Sequence, residues 1–225
     1  IQEELNIPKS SLAFDINLGC SGYAYGCMIA SSLINSGLKR VLVLAGETPS
    51  RIINPSDKST SLLFGDAGTA TAIEQATSGD NFYLFGSDGE GTKFLSCPNN
   101  GFLEMNGAEI FTFTLDNVPN LVNDLNSLVG EEHDYYLFHQ ANKFMLKHII
   151  RKSNIEKNKV PINIDRFGNV SSASIPLLMT SELKDVLEIE NKRIACFGFG
   201  VGLSWSAMSF KSESIKYINI ISKDL

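Results

Sequence analysis

Residues 40–47, RVLVLAGE, carry nothing but β-branched, aliphatic and small side chains between Arg40 and Glu47. A half-exposed strand would alternate with polar residues. An unbroken apolar run is the pattern of a parallel strand covered on both faces. Upstream, SLAFDIN (11–17) is a second short apolar run suited to a buried strand. Between the two, GCSG makes a tight turn, and residues 21–36 read as a helix with little polar surface, expected to be buried, with Gly37 as its C-cap. Strand, helix and strand of these lengths compose a βαβ unit, so the expected class is α/β.

The rest of the chain extends this pattern. IQEELNI at the start reads as a helix end stopped by Pro8. Residues 48–63 are polar, with Pro49 and Pro55, and predict a surface loop before a strand in FGDAGTATAIE (64–74). The turn cluster TSGDN (77–81) predicts a boundary between two halves, 1–80 and 81–225. In the second half, FYLFGSDG reads as strand and turn. Residues 105–129 have helical period, with Pro119 expected to end one helix and start another. DYYLFHQ (134–140) predicts a buried strand. NKFMLKHIIRKSN (142–154) predicts an amphipathic helix, with Phe144, Met145, His148 and Ile149 on one face and Lys147, Arg151 and Lys152 on the other. INIDRFGN (162–169) reads as extended chain and turn, 171–188 as one helix, and RIACFGFG and LSWSAMSF as two strands joined by a glycine turn. The tail from Lys211 reads as a strand or extension.

Composition removes several function classes. A hydrophobic content of 43% and a charged content of 20% suit a packed core. The net charge of −6 disfavours nucleic-acid binding. No apolar stretch reaches the roughly 18 residues of a spanning helix, so no membrane span is expected. The opening residues show no leader pattern, which agrees with a cytoplasmic location. Four cysteines and three histidines lack the spacing of a zinc site, and no metal is expected. Cys27, Cys97 and Cys196 read as buried small hydrophobes.

Three polar residues stand out by context. Cys20, in NLGCSGYAYG, lies between a strand end and a helix start, where N–H groups and the helix dipole favour a thiolate. Flanking Gly19 and Gly22 permit a sharp turn and close approach of a substrate. Taken alone, Cys20 fits a buried cysteine equally well. His139, in YYLFHQAN, follows a strand, so its ring can face the crevice at the sheet's carboxyl edge; alone it fits a structural histidine. Asn169, in DRFGNVSSASIP, fits a turn or cap residue; as a catalytic group it can only donate a hydrogen bond. Together the three suit thioester chemistry. A thiol accepts an acyl group from another thiol, and two fixed donors on His139 and Asn169 can hold the enolate left when a malonyl thioester loses carbon dioxide. A second oxyanion hole would use backbone N–H groups of Cys20 and of the 198–202 turn, at Val201. That turn, FGFGVG, precedes a strand and so does not match a dinucleotide fingerprint.

From about residue 10 to 210 the chain resembles the β-ketoacyl-[acyl carrier protein] synthase III family. The resemblance rests on DINLGCSGYAYG, NPSDKSTSLLFGDAGTA, MNGAEIF, HQAN, DRFGNVSSASIP and GFGVGLSW, in that order. It implies a thiolase-like, layered αβαβα fold of two similar halves, the first lacking the family's N-terminal portion. It implies Cys20 as the acylated nucleophile, and His139 and Asn169 as the decarboxylation pair. Asn142, Lys58 and Phe199 are expected to bind substrate. Lys143, Lys147, Arg151 and Lys152 are expected to offer a basic face to an acyl carrier protein. The substrates would be coenzyme A and phosphopantetheine thioesters, the assembly a homodimer, and no further cofactor is called for.

Two departures accompany the resemblance. Val201 occupies a turn position where glycine is common, and Phe144 stands where a basic contact is often found. Missing sheet strands would leave backbone and apolar surface unpaired. The competing enzyme readings are a specialised secondary-metabolite condensing enzyme, a hydroxymethylglutaryl-CoA synthase or a thiolase, the last needing a second catalytic cysteine near Cys196. A non-catalytic fragment or binding partner is the reading from a different class.

Overall fold

Helix α1 (Gly22–Asn35) begins two residues after Cys20 and ends where Gly37 takes a φ of +107°. A computed structural model provides the architecture and describes residues 1–76, 79–98, 101–212 and 215. Tyr23, Ala24, Cys27, Ala30 and Ile34 recur at three- and four-residue spacing and form the buried face of α1. The helix is therefore buried on one side rather than throughout.

Strand β1 (Arg40–Glu47) departs from expectation. The polar loop after it holds α2 (Lys58–Ser61), and β2 (Ala67–Glu74) then pairs with β1 antiparallel, Val43 opposite Thr71. Among the described residues β2 is the sole strand beside β1. Odd-numbered residues of β1 turn toward α1, and Leu42 and Leu44 are each 46% exposed. The apolar run thus belongs to a strand covered on one face. Residues 11–17 form no strand: they pair with neither β1 nor β2, and Leu12, Phe14 and Ile16 are exposed. The expected βαβ unit is not closed. Residues 2–6 form turns rather than a helix end.

The second sheet is better covered. It comprises β3 (Phe82–Ser87), β6 (Tyr135–Phe138), β7 (Arg193–Gly200) and β8 (Ser204–Lys211), in the order β3-β8-β7-β6. Only β6 and β7 run parallel. Every residue of β7 is buried, as a central strand with both faces covered should be. Between β3 and β6 the chain forms the short pair β4 (Leu95–Ser96) and β5 (Glu104–Met105), then α3 (Gly107–Val129). After β6 come α4 (Lys143–Lys152), α5 (Ile164–Phe167), α6 (Ser174–Glu182) and α7 (Lys184–Leu187). Helices α3 and α4 pack together, with α3 against the four-stranded sheet. Helices α1 and α6 lie between that sheet and β1–β2. The described residues thus form alternating layers of a thiolase-like α/β fold, with the outer face of β1–β2 open.

Proline 119 does not divide α3, which runs through it. A proline nitrogen has no hydrogen for the carbonyl four residues earlier. That carbonyl is Leu115, and Lys152 Nζ reaches across from α4 to donate to it at 2.6 Å. Two further expectations change. Residues 164–167 are helical rather than extended, and 171–188 split into a 3₁₀ turn, α6 and α7. Phe144 is 62% exposed, stacks with Phe111 and meets His148 at a tilt; Met145, Leu146, Ile149 and Ile150 form the buried face of α4. The expected strand in the tail lies outside the described residues beyond Ser212, apart from Ile215.

His133 is buried under the second sheet. Its Nδ1 donates to Asn126 Oδ1 at 3.0 Å, and its Nε2 accepts from Ser209 Oγ at 2.9 Å. Burial, helped by nearby Arg193, lowers its pKa from 6.5 to about 4; Asp134 and Glu131 oppose this. The unfolded chain therefore binds a proton first as pH falls, and the stabilisation, complete above pH 6.5, is lost toward pH 4. Urea denaturation across that window should show a falling unfolding free energy, with a shallower slope in His133→Gln.

Candidate active site

Cys20 sits in the turn that opens α1, where the Gly22 N–H donates to the Gly19 carbonyl at 2.7 Å. The glycine turn between β7 and β8 presses against it. A Cβ on Gly200 would lie 2.8 Å from Cys20 Cβ and 3.0 Å from Sγ, so only glycine lets the turn come this close. Two serines lock the turns together: Ser204 Oγ lies 2.7 Å from Ser21 Oγ while donating to the Val201 carbonyl of its own turn, and Ser206 Oγ donates to the Ser21 carbonyl at 2.9 Å. Cys20 is only 8% exposed. Burial raises its pKa from 9.0 to about 11. The Ser171 hydroxyl opposes this, the charge of Glu47 adds to it, and backbone hydrogen bonds from Cys20 and Val201 oppose it. This corrects the expectation of a ready thiolate: desolvation outweighs the favourable dipoles, and the resting group is a thiol.

His139 follows β6, anchored by its backbone N–H on the Phe197 carbonyl at 2.8 Å. The ring is 1% exposed. Nδ1 lies 3.1 Å from Ser174 Oγ, and Phe199 meets the ring edge-on, with centroids 5.4 Å apart. Burial pulls the imidazole from 6.5 to about 4, against a backbone hydrogen bond with Ser171, so it is neutral near pH 7.

Asn169 is held by a clamp across sequence. Its N–H donates to the Leu63 carbonyl at 2.8 Å, and its own carbonyl accepts from Gly65 N–H at 3.0 Å. A Cβ on Gly65 would fall 2.2 Å from the Phe167 carbonyl oxygen, so this approach requires glycine. The side-chain Oδ1 accepts from the Ser171 N–H at 2.9 Å. With its acceptor engaged, the amide has its Nδ2 hydrogens left to offer.

Ser171 joins all three groups. Its Oγ is 3.5 Å from Cys20 Sγ, its N–H holds Asn169, and its backbone touches His139. It takes a φ of +49°, uncommon for a residue with a side chain. Sequence reasoning did not single it out, nor Ser174, nor Glu47, whose Oε1 accepts from the Ser172 N–H at 3.2 Å. The available signal was the serine run after Gly168-Asn169 and an acid ending an apolar strand.

An open cavity of about 2460 Å³ is lined by Cys20, His139, Asn169, Asn142, Phe199 and Val201, and extends along β1 and residues 10–18. Asn142 also caps α4, accepting the Met145 N–H at 2.7 Å. Lys58 does not line this cavity. Asp57 caps α2, so the helix begins at Lys58 and its side chain is exposed. On α4, Lys143 pairs with Asp165 and Lys152 is engaged with Leu115, while Lys147 and Arg151 are exposed. Cys27 and Cys196 are buried as expected; Cys97 is exposed, donating to the Gly101 carbonyl. Cys196, the cysteine weighed as a thiolase's second, is wholly buried inside β7 and does not line the cavity, whereas Cys97 does. Among the described residues no cluster of His, Cys, Asp and Glu is arranged to hold a metal, and no helix is long and apolar enough to cross a membrane.

Comparison with known proteins identifies the family. Residues 14–89 match the family described as 3-oxoacyl-[acyl-carrier-protein (ACP)] synthase III, and residues 124–212 match its C-terminal region. A β-ketoacyl-[acyl-carrier-protein] synthase III of Clostridium tetani is 34% identical, over 90% of this chain and 69% of the relative. That of Acholeplasma laidlawii is 36% identical, over 92% and 68%. The crystal structure of a 3-oxoacyl-(acyl-carrier protein) synthase from Burkholderia xenovorans superposes with a TM-score of 0.94 at 44% identity, covering 97% of this chain and 69% of that one. With sequence relatives and structural neighbours in agreement, the chain belongs to the 3-oxoacyl-[acyl-carrier-protein] synthase III family.

Proposed function

We propose that this chain joins an acyl-CoA primer to a malonyl group carried on an acyl carrier protein, by decarboxylative Claisen condensation through an acyl-Cys20 intermediate. The observation that carries the reading is the meeting of Cys20, His139 and Asn169 around Ser171 in one cavity. Relatives named for this activity support it.

The steps follow from the groups present. Cys20 sulfur attacks the primer thioester; the sulfur–carbonyl bond forms, the bond to coenzyme A breaks, and the thiol proton ends on the departing thiol. The backbone N–H groups of Cys20 and Val201 suit the oxyanion of that step. The malonyl thioester then loses carbon dioxide, and the electron pair of the broken carbon–carbon bond becomes an enolate. His139 and Asn169 donate to its oxygen. The enolate carbon attacks the acyl carbonyl and expels Cys20 as thiolate, which takes one proton from solvent. The balance needs no redox partner. We assign the exposed Lys147 and Arg151 to recognition of the acidic carrier protein, with Lys143 and Lys152 already engaged within the chain. Homodimer assembly and a cytoplasmic location belong to the same proposal.

Incubation with acetyl-CoA should add one acetyl mass, and Cys20→Ala should abolish the gain. A folded protein without the adduct would leave a binding role in its place. Asn169→Ala should still acylate, while malonyl thioester decarboxylation falls by about a hundredfold or more, the usual cost of one lost oxyanion donor. Equal loss of both steps would contradict the assignment. Because the Glu47 charge raises the Cys20 pKa, Glu47→Gln should shift the pH midpoint of iodoacetamide alkylation downward.

A further inference from the structure

We infer that Ser174 is a positioning residue that sets the tautomer of His139, keeping its proton on Nε2 and so fixing the imidazole as a donor rather than a base. This rests on the proposed role of His139 in decarboxylation.

The argument is one of counting hydrogens. Ser174 is 1% exposed and opens α6. Its Oγ lies 3.1 Å from His139 Nδ1, and among the described residues that hydroxyl has no other hydrogen-bond partner. If Nδ1 carried the proton and donated to Oγ, the hydroxyl hydrogen would be buried with nothing to receive it. If the hydroxyl donates to Nδ1, both groups are satisfied, and the backbone hydrogen bond between the ring and Ser171, which favours the protonated imidazole and so takes a ring N–H, draws on the hydrogen at Nε2. A neutral imidazole whose Nδ1 accepts must hold its hydrogen on Nε2. Among the described residues the ring's partners are Ser174, Phe199 and the Ser171 backbone, and no carboxylate is one of them. A carboxylate on Nδ1 would instead demand a proton there, leaving Nε2 as an acceptor, the arrangement of a general base. A serine gives the opposite polarity, which suits a residue that must donate to a developing enolate oxygen and must not remove protons from the cavity.

The placement also separates the two halves of the reaction. An Nε2–H donor cannot accept the Cys20 proton, so acyl transfer proceeds without the imidazole as base, and the Ser171 hydroxyl remains the sulfur's side-chain neighbour. Loss of Ser174 should therefore fall mainly on decarboxylation.

The test uses the 225-residue chain labelled with ¹⁵N-histidine. In the wild type, long-range ¹H–¹⁵N spectra near pH 7 should show His139 with a protonated Nε2 and an accepting Nδ1; a protonated Nδ1 would overturn the proposal. Ser174→Ala should lower the rate of malonyl thioester decarboxylation by about tenfold to a hundredfold, the usual cost of losing a group that orients an active-site imidazole, with a smaller effect on acetyl transfer to Cys20. Ser174→Thr, which keeps the hydroxyl, should restore most of the rate. Decarboxylation unchanged in Ser174→Ala would refute the proposal, as would a Thr variant as impaired as Ala. Should the alanine variant fail to fold, the wild-type spectrum still decides. If the wild type does not decarboxylate at all, the proposed function fails, while the spectrum reports on the tautomer independently.

Discussion

Removal of water from one small volume governs this molecule. Cys20, His139 and Asn169 are each at most 8% exposed, brought there by a glycine turn so close to Cys20 that a side chain on Gly200 would collide with it and by a serine with a left-handed backbone. Desolvation makes the thiol a thiol and the imidazole neutral. It also strengthens each remaining dipole, since fixed donors act in a medium of low effective dielectric. The groups work by being held in place, not by resting charge.

The segments that hold them come from distant parts of the chain. Residues 63–65 clamp Asn169 by backbone pairing, Glu47 at the end of β1 holds the Ser172 N–H, and Ser204 and Ser206 tie the last strand to Ser21 in the Cys20 turn. Almost all are neutral hydrogen bonds with small groups. Each contributes modestly, but together they fix the three candidate catalytic groups to the seam between two layers.

Much of this was legible in the sequence. Strand-end and helix-start contexts, read with the glycine spacing, placed Cys20, His139, Asn169 and Val201 around one cavity. What was not legible depended on partners that a linear pattern cannot name. RVLVLAGE looks like a strand covered on both faces, yet Leu42 and Leu44 face outward because coverage depends on neighbouring elements rather than on the strand itself. Pro119 looks like a break until a lysine 33 positions onward supplies the hydrogen it lacks. A helix-start cysteine suggests a low pKa, and only the depth of burial reverses that. Ser171 and Ser174 are ordinary in sequence and acquire roles through geometry.

The uneven cover of the two sheets bears on how the protein breathes. The sheet carrying His139 is sandwiched by helices, whereas β1–β2 beneath the nucleophile helix has one face open to solvent. Local opening follows the least-buried cooperative unit. Amide exchange should therefore begin around residues 40–74, while the strand behind the imidazole stays protected. Excursions of this kind would carry the sulfur away from its donors while leaving those donors in register, making the reactive geometry itself the first casualty of partial unfolding.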